Sequence, residues 1–417
     1  MSGQAGFLYK IKKYCIYVLV KSRHIMNKGR IASIDIFRAL TMLLMIFVND
    51  FWTLHDIPSW LEHAAAGEDR LGFSDIIFPA FLFIVGLSIP FAIDARFRKG
   101  QSRIQVFIHI LQRSAALVIM GFFMVNLENF HPGVPRYLKA VWEVLMVTAF
   151  LLIWNNYKNP GWTKKIPVIY LQLAGFLLLV VLAITYKGGM PGDPQWMKTH
   201  WWGILGLIGW AYLLCALVYL LAGARIWLIM PIWIILYVLN VQEFTGLPWT
   251  SSPVRLVVSA SNHALVMSGV LASVFYKKLN ESGRIKLFIS LLMILATISL
   301  LYGFAARPEW GISKIRATPS WTAICAGISL AFFAGMYWIA DIRNRTGWAR
   351  FMMPAGRSTL TCYLVPYIIY PTLGSLIMMI PASLAGGIIG LIKSMIFALL
   401  VVWITGLLEK INIRLKI

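Results

Sequence analysis

The sequence predicts an all-α, polytopic integral membrane protein of about twelve transmembrane helices, and three observations carry that expectation. Of its 417 residues, 59% are apolar and only 13% charged, against roughly 25% charged in soluble domains. The apolar runs continue unbroken for about 20 residues, the length a helix needs to cross ~30 Å of hydrocarbon at 1.5 Å per residue. The strands of a membrane barrel would instead alternate over ~10 residues. Third, the basic residues gather in alternate loops between these runs. Only helices and closed barrels satisfy every backbone polar group in lipid, so the unbroken runs select helices.

The expected spans fall at 34–54, 75–95, 104–126, 139–156, 166–186, 202–222, 225–241, 254–276, 284–304, 319–341, 356–376 and 387–408. If two of the runs are re-entrant, the number drops to ten. Arg96, Arg98, Lys99 and Arg103 share one expected side with Lys158, Lys164 and Lys165. Lys277, Lys278, Arg284 and Lys286 join them, as do Arg343, Arg345, Arg350 and Arg357. By the positive-inside rule that side is cytoplasmic, with both termini on it. Arg38, Arg113 and Lys393 fall within spans.

A formal charge of +22, from 38 Lys and Arg against 16 Asp and Glu, invites a nucleic-acid reading. The distribution over short alternating loops, with no basic stripe, excludes it. Residues 1–30 read as a basic cytoplasmic N-terminal arm lying near anionic lipid, and 31–417 as one transmembrane domain. The apolar stretch 14–20 is short for a signal peptide and has Lys on both sides, so no cleaved leader is expected. Cys15, Cys215, Cys325 and Cys362 lack CxxC spacing, so neither a disulfide framework nor a zinc site is expected. The expected location is a bacterial inner (plasma) membrane, crossed many times.

Chemistry concentrates in the first two spans and the loop joining them. Asp35 and Arg38 are three residues apart and share a helix face; an interfacial anchor pair and a ligand-binding role are both open. Asn49 and Asp50 close the first span, where polar groups at membrane depth are functional or paired. The loop carries His55, Asp56, Glu62, His63, Glu68 and Asp69. Asp75 then opens the second span one turn before Pro79, in a strongly apolar run where a carboxylate needs a partner. A His with carboxylates and an Asn at one membrane face can form a general base with an orienting group. A solvated loop histidine is the plainer reading of His63, and His55 has no better claim. A metal site from His55 and His63 lacks helical ligand spacing, so none is expected.

Further along, Asn262 and His263 fall in the outer half of the eighth span, as hydrogen-bonded core groups or as the lining of a polar cavity. Lys314, Arg316 and Ser320 sit at the outer mouth of the tenth, placed to bind a sugar or a carboxylate. Arg357 and Ser358 open the eleventh from inside, where a basic residue suits a phosphate or serves as a topology anchor.

The run RIASIDIFRALTMLLMIFVND (30–50), LEHA (61–64) and GFSDIIFPAFLFIVGLSIPFA (72–92) resembles the heparan-α-glucosaminide N-acetyltransferase family, and its bacterial relatives especially. ATPSWTAICAGISLAF (317–332) and GRSTLTCYLVPY (356–367) are similar to further blocks of that family. In the family, the catalytic His lies between an Asn ending one span and an Asp-x-x-Phe-Pro opening the next. The pattern falls here on Asn49, His63 and Asp75, with a loop a few residues longer on both sides of the His. Spans six and seven look like an addition.

The resemblance implies an acetyltransferase that moves acetyl from cytoplasmic acetyl-CoA to an extracytoplasmic amino sugar or glycan. His63 would be base or nucleophile, Asp75 would fix its tautomer, and Asn49 would donate to the oxyanion. Arg38, Arg357 and Ser358 would hold the cofactor. Asp50, Asn262, His263, Lys314 and Ser320 would meet the acceptor. Membrane lipid is the other expected partner, and a homodimer is compatible. The rival reading is a permease for an amino sugar or peptidoglycan fragment, in which His63 and Asp75 bind substrate or protons.

Overall fold

The computed structural model describes residues 31–157, 167–245, 257–378, 381 and 384–417. The expected arm 1–30 with Cys15, the loop residues Lys158, Lys164 and Lys165, and the start of the expected eighth span lie outside them. The chain is a polytopic α-helical membrane protein. Its helices are α1 (Ala32–Asn49), α2 (Ser74–Arg98), α3 (Arg103–Leu127), α4 (Arg136–Trp154) and α5 (Val168–Thr185). A short hairpin, β1 (Gly188–Met190) and β2 (Asp193–Gln195), precedes α6 (Gly203–Ala222) and α7 (Ile226–Thr245). There follow α8 (Ala260–Glu281), α9 (Ile285–Ala305), the one-turn α10 (Arg307–Trp310) and α11 (Pro319–Tyr337). Three short helices, α12 (Met353–Arg357), α13 (Thr359–Leu364) and α14 (Pro366–Met378), lead to α15 (Gly387–Lys410).

Ten of the described helices are long and apolar enough to cross a membrane. The two other expected spans take different forms. The eighth is α8, rich in Ala, Ser and Gly, too polar to stand out by hydropathy yet buried from Ala260 to Phe275. Small side chains let backbones approach closely, which is how helices associate where lipid removes the hydrophobic drive. A Cβ on Gly269 would lie 2.0 Å from the Phe83 carbonyl oxygen of α2, and one on Gly86 1.8 Å from that of Val266. The Ser273 hydroxyl donates to the Leu87 carbonyl at 2.7 Å across the same seam.

The expected eleventh span is broken into α12, α13 and α14. Ser358 leaves helical geometry (φ −122°, ψ 49°). Pro366 then supplies no N–H and crowds the preceding turn. The hairpin at 188–195 is not anticipated by the hydropathy pattern; its turn runs through Pro191 and Gly192, the latter at φ +92°.

The core gathers α1, α2, α8 and α11, where Phe83, Leu87, Val266, Trp321 and Phe333 are buried. The pairs α3 with α6 and α9 with α11 flank it, while α5 packs chiefly on α4 at the edge. At the inner end, Asp341 accepts the Ala32 and Ser33 amides at 2.8 and 2.9 Å. It thereby satisfies two of the orphan donors that begin α1 and sets a negative charge against the positive end of the helix. One turn on, Asp35 and Arg38 pair at 3.3 Å, and Arg38 also donates to Ser88 Oγ at 2.5 Å.

Candidate active site

At the outer end, the loop after α1 folds back over the start of α2. The Phe73 and Ser74 amides donate to the Trp60 and Leu61 carbonyls at 2.7 and 3.2 Å. Gly72 makes this approach possible: a Cβ there would sit 1.7 Å from the Glu62 carbonyl oxygen. The fold places Asp75, 1% exposed, directly beneath His63, 44% exposed. Asp75 Oδ1 lies 2.8 Å from His63 Nδ1. Its Oδ2 accepts the amides of Ala64 at 3.0 Å and Gly72 at 3.1 Å. The Trp321 indole donates to the Asp75 carbonyl at 3.3 Å, tying the first turn of α2 to α11.

A second loop closes over the first. Arg307 Nε donates to Asp69 Oδ2 at 2.8 Å, the Ile312 amide donates to Asp69 Oδ1 at 2.6 Å, and Ser313 Oγ donates to the Ala66 carbonyl at 3.3 Å. The Arg307 guanidinium holds the Asp69 carboxyl below its ordinary value, as Arg70 does for Glu68. This docking brings Lys314 Nζ to 3.2 Å from His63 Nδ1 and 3.9 Å from Asp75 Oδ1. Burial lowers the pKa of Lys314, and the Asp75 carboxylate opposes that shift.

These distances assign the imidazole tautomer. A lone pair on Nδ1 facing a carboxylate oxygen at 2.8 Å would be repulsive, so Nδ1 carries the proton and donates to Asp75. Lys314 then serves as the counter-charge of Asp75, and Nε2 keeps its lone pair. Such an imidazole can take a proton from an incoming nucleophile or attack a carbonyl itself.

Asn49 lies exposed at the end of α1, and none of the contacts described for His63 or Asp75 involves it. Asp50, 2% exposed, accepts Tyr370 Oη at 2.6 Å and Ser394 Oγ at 2.5 Å, with Lys393 Nζ at 3.6 Å. His55 pairs with Asp56 at 2.8 Å on the exposed loop. Its backbone hydrogen-bonds to both Ala385 and Gly387.

Asn262 and His263 belong to a buried polar layer around the start of α8. His263 Nδ1 bonds the Ser259 carbonyl at 3.0 Å. Glu243 accepts the Ala260 amide and Ser259 Oγ at 2.8 and 2.9 Å, and Ser261 meets Thr322 at 2.6 Å. Asn240 links this layer to the second loop by donating to the Ala317 carbonyl at 3.0 Å. Glu243, Asn240 and Thr322 escaped sequence reading because each finds its partner far along the chain. Ser320 is fully buried, its hydroxyl without a hydrogen-bond partner among the described residues. Among those residues, no group of three or more His, Cys, Asp or Glu side chains is placed to hold a metal ion.

At the inner end, Arg38 and Arg357 line one cavity of about 520 Å³, together with Arg113, Arg414 and Lys416. Arg357 also donates to Glu409 at 3.0 Å, and Ser358 Oγ donates to the other Glu409 oxygen at 2.5 Å. The chain after α15 crosses this end. The Arg414 amide donates to Asn155 Oδ1 at 2.8 Å and the Leu415 amide to Thr361 Oγ1 at 2.9 Å, while the Arg414 guanidinium donates to the Arg357 carbonyl. Arg414 and Lys416 carry no motif that singles them out in the sequence. The cavity rises along α1 from Ile31 to Met45 and along α2 from Ala92 to Phe81. Asn49 is four residues, about 6 Å, beyond Met45, and Asp75 six residues, about 9 Å, beyond Phe81.

A family model described as a domain of unknown function (DUF5009) matches residues 30–247. Heparan-alpha-glucosaminide N-acetyltransferase of Homo sapiens is 28% identical over 154 residues, which is 36% of this chain and 19% of that protein. The Mus musculus protein of the same name is 27% identical over 152 residues, with the same shares. The aligned stretch therefore spans about a fifth of the length of these curated relatives.

Proposed function

The chain belongs to the DUF5009 family, and we propose that it is a membrane acetyltransferase carrying acetyl from acetyl-CoA on the cytoplasmic side to an amino sugar or glycan on the other, in a bacterial inner membrane. One observation carries the reading. A basic cavity at the inner end rises between α1 and α2 to within a few turns of the His63–Asp75 pair at the outer end. A coenzyme A thioester has a matching layout, with phosphates at one end and a long, largely uncharged arm ending in the acyl group.

In this reading, Arg38, Arg357 and Arg414 meet the phosphates, where charge-assisted hydrogen bonds are the strong ones. The arm follows α1 past Met42 and Met45. The acceptor approaches His63 from the exposed outer loop. As its nitrogen attacks the thioester carbonyl, a new C–N bond forms and His63 Nε2 takes the N–H proton. The C–S bond breaks, and the proton passes to the departing sulfur, giving N-acetyl product and free CoA thiol. Asp75 stabilises the imidazolium formed midway, and Lys314 lies beside Asp75 as its counter-charge. Asn49, about 6 Å beyond Met45 along α1, would donate to the thioester oxygen. The similarity to named N-acetyltransferases supports the reaction class.

The test uses the full chain in sealed proteoliposomes with radiolabelled acetyl-CoA and glucosamine. Stoichiometric appearance of N-acetylated sugar and CoA thiol supports the reading. Uptake of the sugar into vesicles with no thiol release would replace it with a permease.

A further inference from the structure

Beside the cavity assigned to the thioester lies a second, of about 940 Å³, between the inner ends of α2, α3 and α5. Arg96, Lys99, Arg113 and Lys416 line it, and none of its described lining residues is acidic. Among the described residues, the side-chain hydrogen-bond partners of Arg96 are uncharged or basic: the Gln101 amide oxygen at 3.0 Å and His109 Nε2 at 2.5 Å. Arg113 stacks on the Tyr212 ring at 4.8 Å, and its buried Nε has no hydrogen-bond partner among the described residues. Arg113, inside the span α3, and Arg96, bonded to uncharged or basic groups, are placed so that an anion from outside the chain would complete them.

The wall of the cavity indicates which anion. Val168 and Gln172 of α5 form part of it. On the same helix Ile169, Tyr170, Leu173 and Phe176 are exposed apolar side chains, at 50% to 64%. A helix packed chiefly on α4 presents these to acyl chains, so the cavity is bordered by lipid. A ligand with a phosphate at the interface and hydrocarbon beside α5 satisfies both surfaces. Basic pockets between helices on the cytoplasmic side take such headgroups.

We propose that this cavity is a binding site for the phosphate headgroup of an anionic phospholipid, distinct from the thioester cavity that it adjoins at Arg113 and Lys416. Arg96 and Lys99 contact the phosphate, and α5 carries an acyl chain. The site does not depend on the acetyltransferase reading, since lipid binding is measured without any acceptor.

The experiment titrates purified full-length chain with short-chain phosphatidylglycerol, phosphatidylcholine or coenzyme A and reads retained ligand by native mass spectrometry. Phosphatidylglycerol is expected to be retained and phosphatidylcholine not. Each cation removed is expected to weaken phosphatidylglycerol about fivefold, so Lys99→Gln loses about that much and Arg96→Gln/Lys99→Gln about 25-fold. Coenzyme A affinity is expected to change less than about twofold in both. Lys99 is exposed at the end of α2, so the single variant reports even if the double variant fails to fold. Equal retention of both lipids, or unchanged phosphatidylglycerol affinity in Lys99→Gln, overturns the site. Loss of coenzyme A together with phosphatidylglycerol assigns the cavity to the nucleotide instead.

Discussion

His63 donates from Nδ1 to Asp75 at 2.8 Å, while the other Asp75 oxygen is taken by the Ala64 and Gly72 amides. The same carboxylate therefore orients the imidazole and fastens the loop that carries it. His63→Ala is expected to lower acetyl transfer about 10²–10⁴-fold, the usual cost of losing a general base, with thioester binding unchanged. Asp75→Asn keeps the two backbone bonds by turning its NH2 to His63 Nδ1, which moves the imidazole proton to Nε2 and removes the lone pair needed there. It is expected to lower transfer far more than thermal stability. His55→Ala, which removes a ring paired with Asp56 and lying beside Gly386 but in none of the contacts described for His63, is expected to retain most activity. Single-turnover transfer and melting curves on the three variants decide the assignment; an inactive His55→Ala beside an active His63→Ala would exchange the two histidines.

The Asp69–Arg307 bridge gives the loop docking a pH dependence. Asp69 has its folded-state pKa lowered, chiefly by the Arg307 hydrogen bond. Its contribution is therefore present above the unfolded value near 3.8, and is lost as pH falls through the lower folded value. Both partners are about half exposed, so solvent screening keeps the effect small. Glu68 shifts in the same direction beside Arg70, which makes the difference between variants the informative quantity. Between pH 5 and 3, the melting temperature of wild type is expected to fall more than that of Arg307→Ala. Parallel curves would show that the bridge carries no folding energy.

Much of this arrangement is legible before the structure because it is local. Asp75, a carboxylate in an apolar run one turn from Pro79, announces a need for a partner. Asp35 and Arg38 announce theirs by sharing a helix face. What stays hidden is set by contacts across the chain. Lys314 reads as a charge at a helix mouth, and only its loop's docking on Asp69 and Ala66 brings it to His63. The division of 353–378 into three helices follows from Pro366 and from Ser358 bonding to Glu409. Hydropathy cannot register the second. Likewise α8 is too polar for a lipid-facing span, and only its burial among α2, α6 and α11 accounts for it.

Arg357 tests the inner cavity. It lines the cavity while already paired with Glu409 at 3.0 Å, so a bound phosphate would compete for a guanidinium with donors to spare. Arg357→Ala is expected to weaken acetyl-CoA by about 1.5–3 kcal/mol, roughly 10- to 150-fold. Affinity for the acceptor should be unchanged. Isothermal titration with a non-hydrolysable thioester analogue measures both; unaltered affinity would leave Arg357 as a topology anchor alone.

Asp50 and Lys393 form the strongest test of packing at the outer end. The carboxylate closes α1, and the ammonium projects from the apolar face of α15, 3.6 Å away. Tyr370 of α14 and Ser394 bond the two Asp50 oxygens, and Lys393 also donates to Thr53 at 2.5 Å. Each charge at this depth is tolerable only through the other. Asp50→Ala strands Lys393 and is expected to cost about 3–5 kcal/mol. Asp50→Leu combined with Lys393→Met removes both charges and is expected to recover most of that loss, since apolar replacements of buried pairs are often neutral. Unfolding in mixed micelles measures the cycle, and a double variant as unstable as the single one would show that the pair is not coupled. The double variant also separates stability from chemistry. Asp50 neighbours Asn49, so if this clamp fixes the end of α1 for catalysis, the stable double variant will bind acetyl-CoA normally and transfer acetyl slowly. If transfer is unaltered, the pair holds the helices together and Asn49 is positioned by the backbone of α1 alone.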